Sequence, residues 1–166
     1  MDKAVFKTNT HKILFVCLGN ICRSPAAEAI FRKKTEMMGM TRSYEIDSAG
    51  LNGYHDGENA DPRMVRIAAK RGYKITSISR RVDSAVDFEK FDMIIGMDDY
   101  NIKQLQRLAK TEYSRSKIFK MTSFSKSRRF NEVPDPYYSG DSGFETVIDI
   151  LEECSDGLID WIKNKI

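Results

Sequence analysis

The sequence predicts a single α/β domain of three layers, a twisted parallel sheet with helices on both faces. Two apolar runs, Lys12–Val16 and Phe91–Met97, lack polar alternation and therefore fit strands that are covered on both faces. Segments with helical spacing separate the candidate strands, and this alternation is typical of parallel sheets with right-handed crossovers. At 166 residues the chain is long enough for one domain with a buried core.

The first predicted helix follows the first apolar run. Ser24 has the side chain of a helix cap and Pro25 suits the first helical turn, so the helix is expected to start at Ser24. Gly39 is expected to end it. The apolar side chains that recur with helical spacing, and are expected to face the core, are Ala27, Ile30, Phe31, Met37 and Met38.

The next region predicts a second strand and a second helix. Tyr44–Ser48 is the candidate strand, and Ala49–Ala60 reads as a loop rich in glycine and asparagine. Asp61 and the proline after it open a helix that is expected to end at Gly72. Its expected inward residues are Val65, Ala68 and Ala69. Ile75–Arg81 fits either a strand or an extended loop.

The second half of the chain continues the alternation. Val82–Lys90 predicts a short helix before the second apolar run, and Asp98 or Asp99 can cap the helix after that run. That helix carries Ile102, Leu105 and Leu108. Lys117–Met121 is the fourth predicted strand, and Thr122–Gly143 is a polar loop. The last helix has the clearest apolar stripe, formed by Phe144, Val147, Ile148, Leu151, Cys154, Leu158 and Ile162.

Composition and charge argue against several classes of protein. The net charge is +3 with acidic and basic residues mixed along the chain, and the basic segment Lys126–Arg129 has no accompanying nucleic-acid motif. No apolar run reaches the length of a membrane span, and the polar segment Met1–Lys12 lacks the features of a signal peptide. We expect a cytoplasmic monomer without nucleic-acid or membrane partners, in which residues 1–11 form a loosely ordered extension.

The three cysteines, Cys17, Cys22 and Cys154, predict reduced thiols. An odd count without a signal peptide does not make a disulfide framework. The spacing of Cys17 and Cys22 matches no common zinc motif, and no second ligand pair accompanies them, so no metal is expected. Cys154 lies on the apolar stripe of the last helix and is interpreted as a core residue.

The stretch from Cys17 to Ser24 predicts a phosphate-binding loop, because five residues separate Cys17 from Arg23 between a strand and a helix. Peptide N–H groups bent around one point form an anion-binding nest, and the helix N-terminus adds partial positive charge. Gly19 is expected to permit backbone angles that a side chain would forbid, and Arg23 can bond two phosphoryl oxygens at once. The predicted phosphate-binding residues are Leu18, Gly19, Asn20, Ile21, Cys22, Arg23 and Ser24.

The same loop favours the thiolate form of Cys17, because a helix N-terminus and an arginine both stabilise its negative charge. A thiolate beneath a bound phosphate can attack phosphorus and form a phosphocysteine. Arg23 and the loop N–H groups would stabilise the transition state, so the chemistry needs no metal or cofactor. Taken singly, these residues fit a core cysteine, a turn and a surface arginine. Their order between a strand and a helix is what indicates catalysis.

The segment Val16–Pro25 resembles the active-site loop of the low-molecular-weight protein tyrosine phosphatases. Further segments that resemble this family are Ile46–Ser48, Asp61–Arg63, Met97–Asp98, Asp135–Tyr138 and Phe144–Val147. The resemblance covers the chain from about Lys12 on and implies a four-stranded parallel sheet. It also implies hydrolysis of phosphotyrosine in proteins and of aryl phosphate monoesters, with phosphate and other tetrahedral oxyanions as inhibitors.

The resemblance further implies roles for individual residues. Cys17 would be the nucleophile, Arg23 the phosphate clamp, and Asp135 the acid that protonates the leaving phenolate and then the base for water. Cys22 would be a redox partner that forms a reversible disulfide with oxidised Cys17. The implied loop-supporting residues are Asn20, Ser24 and Ser48. The implied substrate wall is Tyr54, Tyr137 and Tyr138, of which the last two could themselves be phosphorylated.

The role of Asp135 as general acid also has support that does not depend on the resemblance. Pro136 restricts it to extended backbone angles, and a positioned acid assists the departure of a phenolate. Asp98 and Asp141 are the rival acids, the first interpreted as a helix cap and the second as part of a glycine-flanked turn.

Two departures from the family pattern affect the site. Ser77 stands where many eukaryotic members have a histidine that supports the loop, so the supporting network is expected to differ. Tyr54 occupies a position often held by tryptophan and is followed by His55, which leaves the substrate preference open.

Two other functions stay open at this point. A thiol-dependent arsenate reductase on the same fold needs two further cysteines near the middle of the chain, and none lies between Cys22 and Cys154. A non-catalytic phosphate-binding module needs neither a nucleophile nor an acid, so the presence of Cys17 and Asp135 argues against it.

Overall fold

Four parallel strands form one sheet in the computed structural model, which describes residues 10–165. The strands are β1 (His11–Cys17), β2 (Tyr44–Gly50), β3 (Met93–Gly96) and β4 (Ile118–Lys120). Their order across the sheet is β2–β1–β3–β4, which confirms the predicted parallel sheet. The expected N-terminal extension falls mainly on residues 1–9, outside the described residues, and β1 already begins at His11.

Helices alternate with these strands as predicted. They are α1 (Arg23–Met37), α2 (Pro62–Lys70), α3 (Asp87–Lys90), α4 (Asp99–Leu108), α5 (Glu112–Ser116) and α6 (Asp141–Asn164). Two short 3₁₀ helices, Thr41–Ser43 and Met121–Phe124, complete the regular structure of the described range. Within residues 10–165 no helix combines the length and apolar character needed to cross a bilayer.

The central strand is buried on both faces, as its unbroken apolar run predicts. Ile13 and Phe15 of β1 pack into a large core with α1, α2 and α6. Leu14 and Val16, which point the other way, pack into a second core with α3 and α4. These two cores make the three predicted layers.

The site position follows from the strand order. Strand β1 has β2 on one side and β3 on the other, so its carboxyl end is the topological switch point of the sheet. Val16 is in register with Gly96, which places Cys17 beside the residues that follow β3. The nucleophile candidate therefore lies where ligands bind in open α/β sheets.

The predicted stripe of α1 is correct at Ala27, Ile30 and Phe31, which are buried, and wrong at its end. Met37 and Met38 are exposed. The inward position after Phe31 belongs to Thr35. Its hydroxyl can be buried because it donates to the carbonyl of Phe31 at 3.0 Å. Gly39 follows the helix with a φ of +70°, as expected of a residue that ends a helix.

The caps of α2 and α4 were predicted correctly, but part of their inward faces was not. Asp61 accepts from the backbone N–H of Arg63, and Asp98 accepts from that of Asn101. The buried residues of α2 are Met64, Ile67 and Ala68, so the helix is turned away from the expected Val65 and Ala69 towards its larger apolar side chains. In α4 Leu105 is buried as predicted, whereas Ile102 and Leu108 are only partly covered.

The remaining segments are an extended loop, a short helix and the last helix. Ile75–Arg81 is an extended loop that makes only two isolated bridges, Gly50 with Arg81 and Asn59 with Ile78. Helix α5, within the stretch between the predicted α4 and β4, was not predicted. Helix α6 begins at Asp141 rather than near Phe144, and all seven residues of its predicted stripe are buried.

Leu151 tests how much the α6 stripe contributes to stability. Its side chain is fully buried in the larger core. We expect Leu151→Ala to lower the free energy of unfolding by about 2–5 kcal/mol, because apolar burial is lost and a cavity remains. Urea denaturation measures this change, with the exposed Met37→Ala as a control that should change stability little. Equal effects of the two substitutions would contradict the assigned packing.

Candidate active site

The loop between β1 and α1 is shaped by Asn20, which has a φ of +57°. Sequence reasoning assigned this conformational freedom to Gly19, and that assignment is wrong. Gly19 serves a different need: a Cβ there would lie 3.1 Å from the imidazole Cδ2 of His55, so the missing side chain makes room for His55. Asparagine tolerates the left-handed conformation better than most residues because its side chain can bond locally.

Four hydrogen bonds hold Asn20 in this conformation. Its Nδ2 donates to the hydroxyl oxygens of Ser24, at 2.8 Å, and Ser48, at 3.0 Å. Its Oδ1 accepts from the backbone N–H of Arg80 at 3.0 Å, and its carbonyl accepts from the hydroxyl of Ser79 at 2.6 Å. The structure thus brings together the three predicted support residues and adds two that were not predicted. Ser79, rather than Ser77, is the serine of its segment that bonds to the loop.

Ser24 was expected to cap α1, and this expectation is wrong. The helix begins at Arg23 with Cys22 at the cap position, and no side chain caps it. The Ser24 hydroxyl lies instead 3.0 Å from Sγ of Cys17. Because its oxygen already accepts from Asn20, its hydrogen points either at the sulfur or at the carbonyl of Ala49, which is 3.4 Å away. Pointed at the sulfur, the hydroxyl would stabilise negative charge on Cys17.

Glu28 ends this chain of hydrogen bonds and was missed by sequence reasoning. Its carboxylate is buried and accepts from the Ser48 hydroxyl at 2.8 Å and from Arg32 at 3.1 Å. This fixes the Ser48 hydrogen towards Glu28 and leaves the Ser48 oxygen as acceptor for Asn20. Burial raises the pKa of Glu28, although the bonds from Ser48 and Arg32 oppose the shift. A glutamate on the first helix carries no sequence signal for such a role.

The raised pKa of Glu28 makes a prediction about stability and pH. A carboxyl whose pKa is higher in the folded protein than its ordinary 4.5 favours folding at low pH, and this contribution is lost as the pH rises through the raised value. We expect the free energy of unfolding of Glu28→Gln, minus that of wild type, to increase as the pH is raised from about 4.5 to about 7. Urea denaturation at both pH values measures it, with the exposed Glu36→Gln on the same helix as control. A constant difference across this range would contradict the assignment.

Arg23 is almost completely buried and is held by two acceptors. Its Nη1 donates to Asp98 Oδ2 at 2.6 Å and to the carbonyl of Val133 at 3.1 Å. Burial opposes the charge of Arg23, but the negative charges of Cys17, Asp98 and Asp135 outweigh it and raise the pKa of the guanidinium. The guanidinium is therefore a fixed positive charge at the loop. Asp98, predicted as a helix cap and rival acid, both caps α4 and orients Arg23.

Asp135 lies opposite the loop with a half-exposed carboxylate. Its Oδ2 is 3.7 Å from Arg23 Nη2, and its Oδ1 accepts from the backbone N–H of Tyr137 at 3.1 Å. The other rival, Asp141, is the first residue of α6 rather than part of a turn, and it pairs with Arg66 at 3.1 Å. Of the three candidate acids, Asp135 is the one that lines the pocket and combines closeness to Arg23 with a half-exposed carboxylate.

Cys17, Arg23 and Asp135 line one pocket of about 340 Å³. Its lining is Cys17, Leu18, Gly19, Ile21, Cys22, Arg23, Asn52, Tyr54, His55, Asp135, Tyr137 and Tyr138. The three tyrosines of the predicted wall stand at its mouth, where Tyr54 is 86% exposed, and the rings of Tyr137 and Tyr138 meet edge to face at 5.0 Å. Asn52 and His55 also line it, although sequence reasoning gave them no role. His55 is oriented by Glu58, whose carboxylate is 2.7 Å from its Nδ1.

The two further cysteines differ in their surroundings. Cys22 is buried, yet it lines the same pocket as Cys17. Burial raises the pKa of Cys22, and the nearby charges of Asp61, Cys17 and Asp135 raise it further, so its thiol is protonated at neutral pH. Cys154 is fully buried in the core, as predicted, and burial raises its pKa to about 12.

Comparison with known proteins agrees with this geometry. A family model described as low molecular weight phosphotyrosine protein phosphatase matches residues 12–166. A low molecular weight protein-tyrosine-phosphatase of Streptomyces coelicolor is 38% identical, over 95% of this chain and 96% of the relative. A protein tyrosine phosphatase structure from Entamoeba histolytica has a TM-score of 0.91 and 47% identity, and the match covers 94% of this chain and 99% of that one. A Drosophila arginine phosphatase has a TM-score of 0.85 and 30% identity, covering 92% and 98%. The chain belongs to the low molecular weight phosphotyrosine protein phosphatase family.

Proposed function

We propose that this chain hydrolyses phosphotyrosine in proteins through a phosphocysteine on Cys17. The observation that carries this proposal is that a thiol, a buried guanidinium and an accessible carboxylate line a single pocket whose mouth is aromatic. Arg23 and the N–H groups of the loop from Leu18 to Ser24 bind the phosphoryl group. Asp135 serves as general acid and then as general base. Asn20, Ser24 and Ser48 keep the loop in shape.

In the first step the thiolate of Cys17 attacks phosphorus. The new S–P bond forms as the bond between phosphorus and the phenolic oxygen breaks. Asp135 gives its proton to that oxygen, so phenol rather than phenolate leaves. Charge that develops on the phosphoryl oxygens is met by Arg23, whose orientation is already fixed by Asp98 and by the carbonyl of Val133.

In the second step water completes the reaction. The carboxylate of Asp135 takes a proton from a water molecule as its oxygen attacks the phosphocysteine. The S–P bond breaks, inorganic phosphate forms, and Cys17 returns to the thiolate. The Ser24 hydroxyl, 3.0 Å from the sulfur, stabilises the departing thiolate in this step and the attacking thiolate in the first.

The aromatic mouth supports an aryl substrate. Rings of Tyr54, Tyr137 and Tyr138 stand around a pocket whose base holds the phosphate-binding loop, so a phosphorylated ring can stack while its phosphate reaches Cys17. A phosphoserine side chain is shorter and offers no ring to stack. Phosphotyrosine-containing proteins are therefore the proposed partners, and phosphate and other tetrahedral oxyanions are the proposed competitive inhibitors. We further propose that the enzyme acts as a monomer in the cytoplasm.

The two alternative functions are less well supported. An arsenate reductase would relay the reaction through further cysteines, and Cys154 is fully buried in the core away from the pocket lining. A binding module would not require a half-exposed carboxylate that lines the pocket 3.7 Å from Arg23. Because Cys17 and Cys22 line the same pocket, the proposed reversible disulfide between them would protect the nucleophile of a phosphatase from overoxidation.

The test compares matched peptides that carry phosphotyrosine, phosphoserine or phosphoarginine at the same position. Phosphate release is measured with thiol and a metal chelator present. We expect turnover of the phosphotyrosine peptide, little turnover of the phosphoserine peptide, and competitive inhibition by vanadate. Faster release from the phosphoarginine peptide would overturn the substrate assignment. The absence of release from any peptide by folded protein that binds phosphate would favour the binding module.

A further inference from the structure

The side chain of Arg63, at the start of α2, is fixed by the carboxylate of Asp61. Its Nε donates to Oδ1 at 3.1 Å and its Nη2 to Oδ2 at 2.8 Å, which is a two-point contact between a planar guanidinium and a carboxylate. The backbone N–H of Arg63 donates to the same Oδ1 at 2.9 Å, as part of the helix cap. Arg63 therefore has one well-defined direction although its side chain is partly exposed.

This pair is joined to the phosphate-binding loop. The backbone N–H of Asp61 donates to the carbonyl of Ile21 at 2.8 Å, and Ile21 lies between Cys17 and Arg23 in the sequence and belongs to the pocket lining. Any movement of the Asp61–Arg63 pair relative to the loop would break this bond. The Arg63 guanidinium is thus held in a defined position relative to the loop that carries Cys17.

The same guanidinium also lies against two aromatic rings, one of them in the loop that carries the acid. Its guanidinium carbon lies 5.4 Å from the ring centre of Tyr137 and 4.7 Å from that of Phe144, both within the range of cation–π attraction. Phe144 is fully buried in α6, so it is a rigid support. Tyr137 is two residues after Asp135, and its backbone N–H donates to the Asp135 carboxylate at 3.1 Å.

We propose that Arg63 is a positioning residue that holds the general acid Asp135 over the phosphate-binding loop by holding Tyr137. The inference rests on the proposed function, and it adds a residue that lies outside the pocket lining. The carboxylate of Asp135 is half exposed and receives a single backbone bond from its own loop, so its place depends on where Tyr137 is held. A general acid is effective only within hydrogen-bond reach of the leaving oxygen.

The proposal predicts a loss that depends on the leaving group. A weakly acidic phenol needs a proton from Asp135 as it leaves, whereas a strongly acidic phenol leaves with less help. The value of kcat/KM includes steps up to the transfer of phosphate to Cys17, so it reports this proton transfer. Loss of stability or of phosphate binding would instead lower kcat/KM equally for every phenol.

The experiment measures kcat/KM for a series of aryl phosphates with Arg63→Met, Arg63→Lys and Arg66→Ala. Arg66 is the matched control, because it lies one turn further along α2. It pairs with Asp141 of α6 at 3.1 Å, whereas the arginine over the Tyr137 ring is Arg63. Thermal unfolding confirms that each variant is folded at the assay temperature. A Tyr137→Ala background, with and without Arg63→Met, tests whether Arg63 acts through Tyr137.

We expect Arg63→Met to lower kcat/KM for phenyl phosphate about 10-fold and that for p-nitrophenyl phosphate by less than about 2-fold, since a general acid contributes about 10²- to 10⁴-fold and only its position is disturbed. Arg63→Lys is expected to lie between this variant and wild type, because lysine keeps the charge and loses the two-point contact. Arg66→Ala should match wild type for both substrates. In the Tyr137→Ala background, Arg63→Met should cause no further loss.

Equal losses for both phenols, or the same leaving-group dependence in Arg66→Ala, would overturn the inference. So would a full effect of Arg63→Met in the Tyr137→Ala background. These outcomes are distinct from failure of the proposed function, which would appear as wild-type protein that is inactive on every aryl phosphate. A wild type that is active, with an Arg63→Met profile parallel to its own, would remove the role of Arg63 alone.

Discussion

Cys17→Ser is expected to lower kcat for p-nitrophenyl phosphate by about 10⁴-fold or more, as removal of a catalytic nucleophile does in other enzymes. A serine hydroxyl is far less acidic than a thiol, so a loop able to stabilise a thiolate would not produce an alkoxide. The substitution changes one atom in a buried position, and Ser24 can still donate to it. We therefore expect phosphate and vanadate to bind with affinities within a few-fold of wild type, as measured by calorimetry.

Cys154→Ala provides the matched control for this substitution. Cys154 is a buried cysteine of the core, outside the pocket lining, so its replacement should leave kcat unchanged in folded protein. Activity that survives in Cys17→Ser would remove Cys17 as the nucleophile. A Cys17→Ser variant that loses phosphate binding together with activity would show that the substitution damages the loop, and the assignment would then depend on trapping the intermediate.

Asp135→Asn is expected to lower kcat by about 10²- to 10⁴-fold, the usual contribution of a general acid or base. The amide keeps the shape of the carboxylate and can still accept from Tyr137, so the loop should not move. The loss of kcat/KM should be greatest for weakly acidic leaving groups, since kcat/KM includes the transfer of phosphate to Cys17 and a strongly acidic phenol leaves with little protonation. Steady-state kinetics across a series of aryl phosphates measures both effects.

Asp141→Asn is the control for the acid. Asp141 was a rival candidate from sequence, and the structure pairs it with Arg66 on the surface. We expect Asp141→Asn to retain wild-type kcat and leaving-group dependence. A loss in Asp141→Asn, or an Asp135→Asn variant whose loss of kcat/KM is the same for every phenol, would contradict the role given to Asp135.

The sheet and its helices could be predicted because their signals are local. Ile13–Val16 are apolar without alternation because both faces of β1 are buried, and the caps at Asp61 and Asp98 lie immediately before their helices. The inward face of α2 was misread because Val65 and Ala69 are apolar but smaller than Met64 and Ile67, which occupy the core. Periodicity alone does not choose between two adjacent apolar stripes.

The central loop could also be predicted, but its support could not. The spacing of Cys17 and Arg23 is contained in seven residues, whereas Asn20 is held by Ser48, Ser79 and Arg80, which are 28 to 60 residues away. Ser24 was assigned as a helix cap because serine before a proline is a typical start signal, and its hydroxyl is used by the catalytic loop instead. Glu28, His55 and Arg63 are of residue types that usually lie on the surface, so the sequence gives no sign of their roles. Only the folded chain brings them to the site or to the groups that support it.

The measurement that tests the central claim most directly is capture of the phosphocysteine. Asp135→Asn is mixed with p-nitrophenyl phosphate and quenched rapidly, because loss of the general base slows hydrolysis of the intermediate more than its formation from an acidic phenol. Mass spectrometry should then show one phosphoryl group per chain, located at Cys17, and none in the Cys17→Ser, Asp135→Asn double variant. A phosphoryl group on another residue such as His55, or turnover without any covalent phosphoryl group, would contradict catalysis through Cys17.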